Sequence, residues 1–62
     1  MMTAQPADLR EIQVLLLTKG FDLAIDGIDG PRTKAALRAF QARSGLTASG
    51  RCDEETLAAL HE

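Results

Sequence analysis

Two stretches of this 62-residue chain repeat one another, and such a repeat leaves few folds open. Asp26-Gly27-Ile28-Asp29-Gly30-Pro31-Arg32-Thr33-Lys34-Ala35-Ala36-Leu37 aligns without gaps on Ser49-Gly50-Arg51-Cys52-Asp53-Glu54-Glu55-Thr56-Leu57-Ala58-Ala59-Leu60. Gly27 falls on Gly50, Thr33 on Thr56 and Ala-Ala-Leu on Ala-Ala-Leu, a shift of 23 positions (27 to 50). Each copy reads as a glycine-bearing turn that runs directly into the start of a helix. A further helical pattern precedes the first copy. The expected fold is therefore all-α: a compact three-helix bundle with two turn–helix units and a long loop between helices 1 and 2.

The details of each element follow from its side chains. Residues 1–7 read as a flexible tail and residues 8–62 as the domain. Asp8 is placed to cap a first helix, its carboxylate accepting from the free amides of the first turn. Leu9, Ile12, Leu15 and Leu16 then form one apolar stripe, and Gly20 supplies the residue able to leave the helix with positive φ. Val14 and Leu17 lie off that stripe; either the loop after Gly20 folds back over Leu17, or both belong to an exposed surface. In the connector 21–30, which contains Leu23, Ile25 and Ile28, the two isoleucines are expected to plug the core from the loop, and Asp26-Gly27 is a turn dipeptide. Pro31 suits the first position of the second helix, with Gly30 as its cap. Thr33, Ala36, Leu37 and Phe40 recur at helical spacing, Ser44-Gly45 closes that helix, and Leu46 is expected to contact the core. Asp53 stands where Gly30 stood and should cap the third helix, with Glu54 and Glu55 at its positive end. That helix is too short to persist alone, so Leu57 and Leu60 must dock on the other two.

A chain of this length buries only about 60% of its unfolded surface, so packing must do most of the stabilising. One Cys forms no internal disulfide, and one Cys with one His falls short of a structural zinc site. The net charge of −2 argues against a polyanionic partner, hence against nucleic acid. No run approaches the apolar length of a membrane span, and the start lacks a signal-peptide pattern. Either the chain is not exported by a leader of its own or it is a domain of something longer. No cofactor, metal or catalytic residue is expected. Asp22, Asp26 and Asp29 resemble a calcium loop, but its twelfth position, counted from Asp22, is Thr33 and not glutamate. Cys52 precedes a helix start, where a thiolate would be stabilised, yet neither it nor His61 has the partners of a nucleophilic site.

Taken with the Leu-Arg-Glu-Ile-Gln segment at 9–13 and the Ala-Phe-Gln-Ala-Arg-Ser-Gly-Leu run at 39–46, the doubled pattern resembles the peptidoglycan-binding domain family of the compact three-helix type, over roughly residues 8–60. The resemblance implies a monomeric, non-catalytic module that binds the glycan strand and stem peptide of the bacterial cell wall. It further implies an attached or partner hydrolase, such as an endolysin, which the module holds on its substrate. It places a shallow groove beside the Asp26, Gly27, Asp29, Gly30 loop and the start of helix 2, with outward backbone amides. Asp29 departs from the family pattern, in which an aromatic or large apolar residue is common, and Ser49 departs where an Asp often precedes the second glycine. Helix 2 carries four cations. By wheel angle Arg32 and Arg43 flank the apolar stripe and suit a stem-peptide carboxylate, whereas Lys34 and Arg38 fall on the solvated side. Asp26 suits holding its own turn better than touching ligand. Thr33 and Thr56 suit helix-start structure or core packing. Gln13 and Gln41 match family glutamines, and either bonds the backbone of a neighbouring loop or meets a sugar amide; Gln41 is carried as a ligand candidate. Other readings are a protein-interaction or inhibitory, prodomain-like module and, behind it, a nucleic-acid-binding three-helix domain.

Overall fold

The computed structural model describes residues 9–62. Within them lie three helices, α1 (Leu9–Thr18), α2 (Pro31–Arg43) and α3 (Glu54–Leu60), with no strand. The expected cap at Asp8 and the tail at 1–7 lie outside the described residues. No helix among them is long and apolar enough to cross a membrane.

The helix ends follow the sequence signals. Gly30 precedes α2 in an extended conformation, Pro31 takes the first helical position, and Ser44 forms the C-cap. Asp53 caps α3, its carboxylate accepting from the Thr56 backbone N–H at 2.9 Å. α1 and α2 end alike: the N–H of Phe21 returns to the Leu16 carbonyl and that of Leu46 to the Gln41 carbonyl, after Gly20 and Gly45 at positive φ.

One apolar cluster holds the helices together: Ile12 and Leu16 from α1, Leu23 from the loop, Ala36, Leu37 and Phe40 from α2, and Leu60 from α3. Leu9, Leu15, Phe21 and Leu57 pack around it. Phe21 meets Phe40 edge to face, centroids 6.3 Å apart. α1 is the central element, in contact with both α2 and α3, while α2 and α3 scarcely meet. That splay leaves an open cleft between them.

Three loop expectations are corrected. Leu23, with Phe21 packed beside it, reaches the core from the connector; Ile25 and Ile28 are 45% and 63% exposed. The reason lies in the backbone, since the Gly27 N–H and Ile28 carbonyl turn inward to a buried glutamine and the Ile28 side chain must point out. The returning loop does not cover Val14 or Leu17, which stay exposed. Leu46 is only half-buried and lines the cleft.

Candidate ligand-binding site

The repeat has an internal mechanism. Gln13 and Gln41 are both fully buried, and each reaches from a helix into the following glycine loop. Gln13 Oε1 accepts from the Gly27 N–H at 2.9 Å, and its Nε2 faces Asp26 Oδ1 (3.0 Å), Thr33 Oγ1 (3.0 Å) and the Ile28 carbonyl (3.2 Å). Gln41 Oε1 accepts from the Gly50 N–H at 2.9 Å, and its Nε2 donates to the Arg51 carbonyl (2.8 Å) and to Thr56 Oγ1 (2.9 Å). A primary amide supplies one acceptor and two donors on one rigid plane, so a single side chain satisfies both sides of a tight turn. Three residues earlier in each helix sits an arginine. A Cβ on Gly27 would stand 3.3 Å from Arg10 Nε, and one on Gly50 would stand 3.0 Å from Arg38 Nη1. Each glycine is thus held from within by glutamine and covered by arginine.

The sequence signal for this arrangement is a second repeat. Leu9-Arg10-Glu11-Ile12-Gln13 parallels Leu37-Arg38-Ala39-Phe40-Gln41 at a shift of 28 (13 to 41), where the turn–helix repeat shifts by 23. The difference is taken up between glutamine and glycine. α2 belongs to both units, receiving the first loop at its start and gripping the second near its end. Arg38 is exposed, as its wheel angle suggests, and its chain also lies against Gly50.

The candidate residues separate accordingly. Asp26, Gly27 and Gly30 frame the first loop. The Asp26 carboxylate accepts from the Ile28 N–H at 2.9 Å and from Gln13, and these bonds hold its pKa below the ordinary value. The Gly27 amide is thus taken from within by Gln13 and the Ile28 amide by the Asp26 carboxylate, so neither is left free for a ligand. Asp29 pairs with Lys34 at 3.7 Å, both half-exposed. Beside the loop, Ala24, Asp26, Ile28, Gly30, Pro31, Arg32 and Thr33 line a hollow of about 300 Å³. Gly30 offers no side-chain cap to α2, and among the described residues the Arg32 and Thr33 N–H groups meet no acceptor. In the second unit, the Asp53 carboxylate fills the equivalent place. The α2 start is thus open to an anion, while the α3 start is occupied by its own.

Arg43 is not part of that hollow. It stands eleven residues beyond Arg32, about 16 Å along the helix, and lies over the Phe21 ring at 4.8 Å with Nη2 donating to the Lys19 carbonyl at 3.3 Å. It lines the cleft between α2 and α3 instead. Gln41 has no exposed surface, and its amide is engaged by the second loop. Cys52 also differs from expectation: burial, then the Asp53 carboxylate, push its thiol pKa up, so the helix start does not stabilise a thiolate there.

Comparison with known proteins adds one finding. No match was found among curated proteins or among solved structures. Residues 5–60, nearly the whole chain, match the model of one family, described as "Putative peptidoglycan binding domain". No catalytic family matches, and the chain is essentially one binding domain. With its paired glycine loops, buried glutamines and three helices accounted for, the chain belongs to the peptidoglycan-binding domain family.

Proposed function

We propose that this domain binds the peptidoglycan of the bacterial cell wall without chemistry of its own and holds an attached or partner cell-wall hydrolase, such as an endolysin, against its substrate. Tethering raises the local substrate concentration for the partner, and that gain needs only modest affinity in the module. The ligand surface is the outer side of the Asp26, Gly27, Asp29 and Gly30 loop together with Arg32. The observation that carries this reading is the uncapped start of α2 beside Arg32, on a hollow edged by exposed Ile28.

The chemistry follows from those groups. Two free helix N–H groups and an arginine fork suit a stem-peptide carboxylate. Asp26 is turned to its own loop and Asp29 to Lys34, so neither carboxylate is required to face the incoming anion. Ile28 presents apolar surface to the ligand, in place of the aromatic platform that Asp29 does not provide. Gln13 fixes the whole loop from beneath, so that little order remains to be gained on binding. Gln41 keeps the second loop in the same way, and Arg43 serves a different surface.

Sedimentation of variants with purified sacculi tests the assignment. Arg32→Gln and Ile28→Ser change exposed side chains and should lower the bound fraction while leaving the far-UV circular dichroism and melting temperature unchanged. Lys34→Gln should leave the bound fraction as it was. Wild-type binding by both Arg32→Gln and Ile28→Ser would remove the loop hollow as the site.

A further inference from the structure

The cleft between α2 and α3 takes no part in that reading, and it is the larger hollow, about 690 Å³. Its size falls within the range of roughly 300–1,000 Å³ common to small-ligand sites. One wall is a single face of α3 continued through its closing turn: Glu55, Ala58, Ala59 and Glu62, spaced i, i+3, i+4 and i+7. The small alanines leave room between two carboxylates about 10 Å apart along the axis. The opposite wall holds Lys19 from the end of α1 and Arg43 from the end of α2, and Phe40 reaches the floor. The two walls carry opposite charge.

These four charges do not pair with one another. Neither the Asp29–Lys34 ion pair nor the contact between Glu11 and His61, ionic only when the imidazole is protonated, touches the cleft. Arg43 is fixed by stacking on Phe21 and by the Lys19 carbonyl, not by an acid. It is thus held in place with its charge uncompensated. A polyanion would meet Glu55 and Glu62, and a polycation would meet Lys19 and Arg43. An uncharged sugar can hydrogen-bond to these groups but leaves the charge of both walls uncompensated. A ligand bearing one ammonium and one carboxylate satisfies both.

We propose that the cleft is a second binding site, distinct from the loop hollow, and that it takes the zwitterionic end of a short peptide, with the carboxylate toward Arg43 and Lys19 and the ammonium toward Glu55 and Glu62. That the peptide is a cell-wall stem peptide rests on the peptidoglycan reading; the charge pattern stands without it. Each charged contact on an open surface is worth little alone, so binding is weak and depends on both walls together.

The test is an amide-shift titration of the ¹⁵N-labelled domain with a synthetic stem tetrapeptide carrying a free C-terminal carboxylate and a diamino acid with a free side-chain amine. Two further peptides have that amine acetylated or that carboxylate amidated. The free peptide should shift signals of residues 43–46 and 55–62, and each blocked peptide should bind about two- to fivefold more weakly, the scale of one exposed charged contact. Glu55→Gln combined with Glu62→Gln should weaken the free peptide by a similar factor yet leave the acetylated one unaffected. Arg43→Gln should do the same toward the amidated peptide, with the α3 pair as the control should loss of the Phe21 stack disturb the fold. Shifts confined to residues 24–33, equal binding of all three peptides, or self-association through the cleft at titration concentrations would each overturn the proposal. If sacculi are bound while the peptide leaves the cleft unshifted, the second site fails and the peptidoglycan reading survives. If the peptide shifts the cleft while sacculi are not bound, the reverse holds.

Discussion

Replacing Gln41 by methionine should cost this domain most of its stability. Methionine keeps the length and approximate volume of glutamine, so the change removes hydrogen bonds without opening a large cavity. Four partners lose their bonds: the Gly50 N–H, the Thr56 hydroxyl, the Arg51 carbonyl and, at 3.5 Å, the exposed Ser49 hydroxyl. Arg51 is exposed and its carbonyl can turn to water, but Gly50 and Thr56 are buried. Each orphaned buried group costs about 1–3 kcal/mol, so the pair costs about 2–6 kcal/mol. A single core of this size supplies roughly 3–5 kcal/mol in all. Gln41→Met should therefore be largely unfolded at room temperature. The equivalent Gln13→Met makes an informative contrast. Its loop partners Asp26, Gly27 and Ile28 are exposed and can be hydrated, which leaves only Thr33 buried. The expected cost is about 1–3 kcal/mol, and each kcal/mol corresponds to a fall of roughly 4–8 °C in a domain this small. Thermal and urea melts followed by circular dichroism at 222 nm measure both. A Gln41→Met melting temperature equal to wild type, or one above that of Gln13→Met, would refute the argument that buried amides hold the loops.

Other substitutions probe separate parts of the structure. Phe40→Ala removes the aromatic at the centre of the core and should cost about 3–5 kcal/mol, enough to abolish a cooperative melt; an unchanged melting temperature would place Phe40 outside the core. Gly50→Ala should destabilise strongly, because the residue has φ of +79° and an added Cβ would stand 3.0 Å from Arg38 Nη1. Gly30→Ala, at φ −93° with only Ile28 Cγ2 at 4.0 Å, should fold normally. Stability should also fall in acid. The Asp26 and Asp53 carboxyls are held below their ordinary 3.8, by the Ile28 N–H first and by the Thr56 N–H first, respectively. A depressed folded pKa contributes stability above the ordinary value, lost as pH falls through the lowered one. The melting temperature should thus decline below about pH 4, and less steeply in the double Asp26→Asn, Asp53→Asn variant; equal slopes would exclude these two bonds as the cause.

The helices were legible because their ends are chemically marked. Pro31 after Gly30, Asp53 before two glutamates and Gly45 after Ser44 each fix a boundary within a residue or two. The apolar stripe of α2 pointed to Thr33, Ala36, Leu37 and Phe40, all of them buried. Loop side chains were harder to place. Ile25 and Ile28 are the large apolar residues beside the turn, but Leu23 takes the core position, and the inward turn of the Gly27 and Ile28 backbone sends Ile28 outward. The arginines mark another limit. Wheel angle grouped Arg32 with Arg43, yet angle carries no information about distance along the axis, and the two line different hollows. The same wheel set Arg38 in solvent, where it is, but gave no sign of its contact with Gly50, which comes from another part of the chain. The clue available in the sequence was the second repeat, Leu-Arg-x-Ile/Phe-Gln, concealed by a shift different from that of the glycine turns. The interior of the site was thus written in the repeat, and the assignment of its outer face depends on binding.

Co-sedimentation of the isolated domain with purified sacculi tests the central claim most directly. The domain should leave the supernatant in a saturable, sacculus-dependent manner, and the turbidity of the suspension should not change. Equal supernatant protein with and without sacculi at high protein concentration would contradict peptidoglycan binding, and a fall in turbidity caused by the domain alone would contradict a purely binding role.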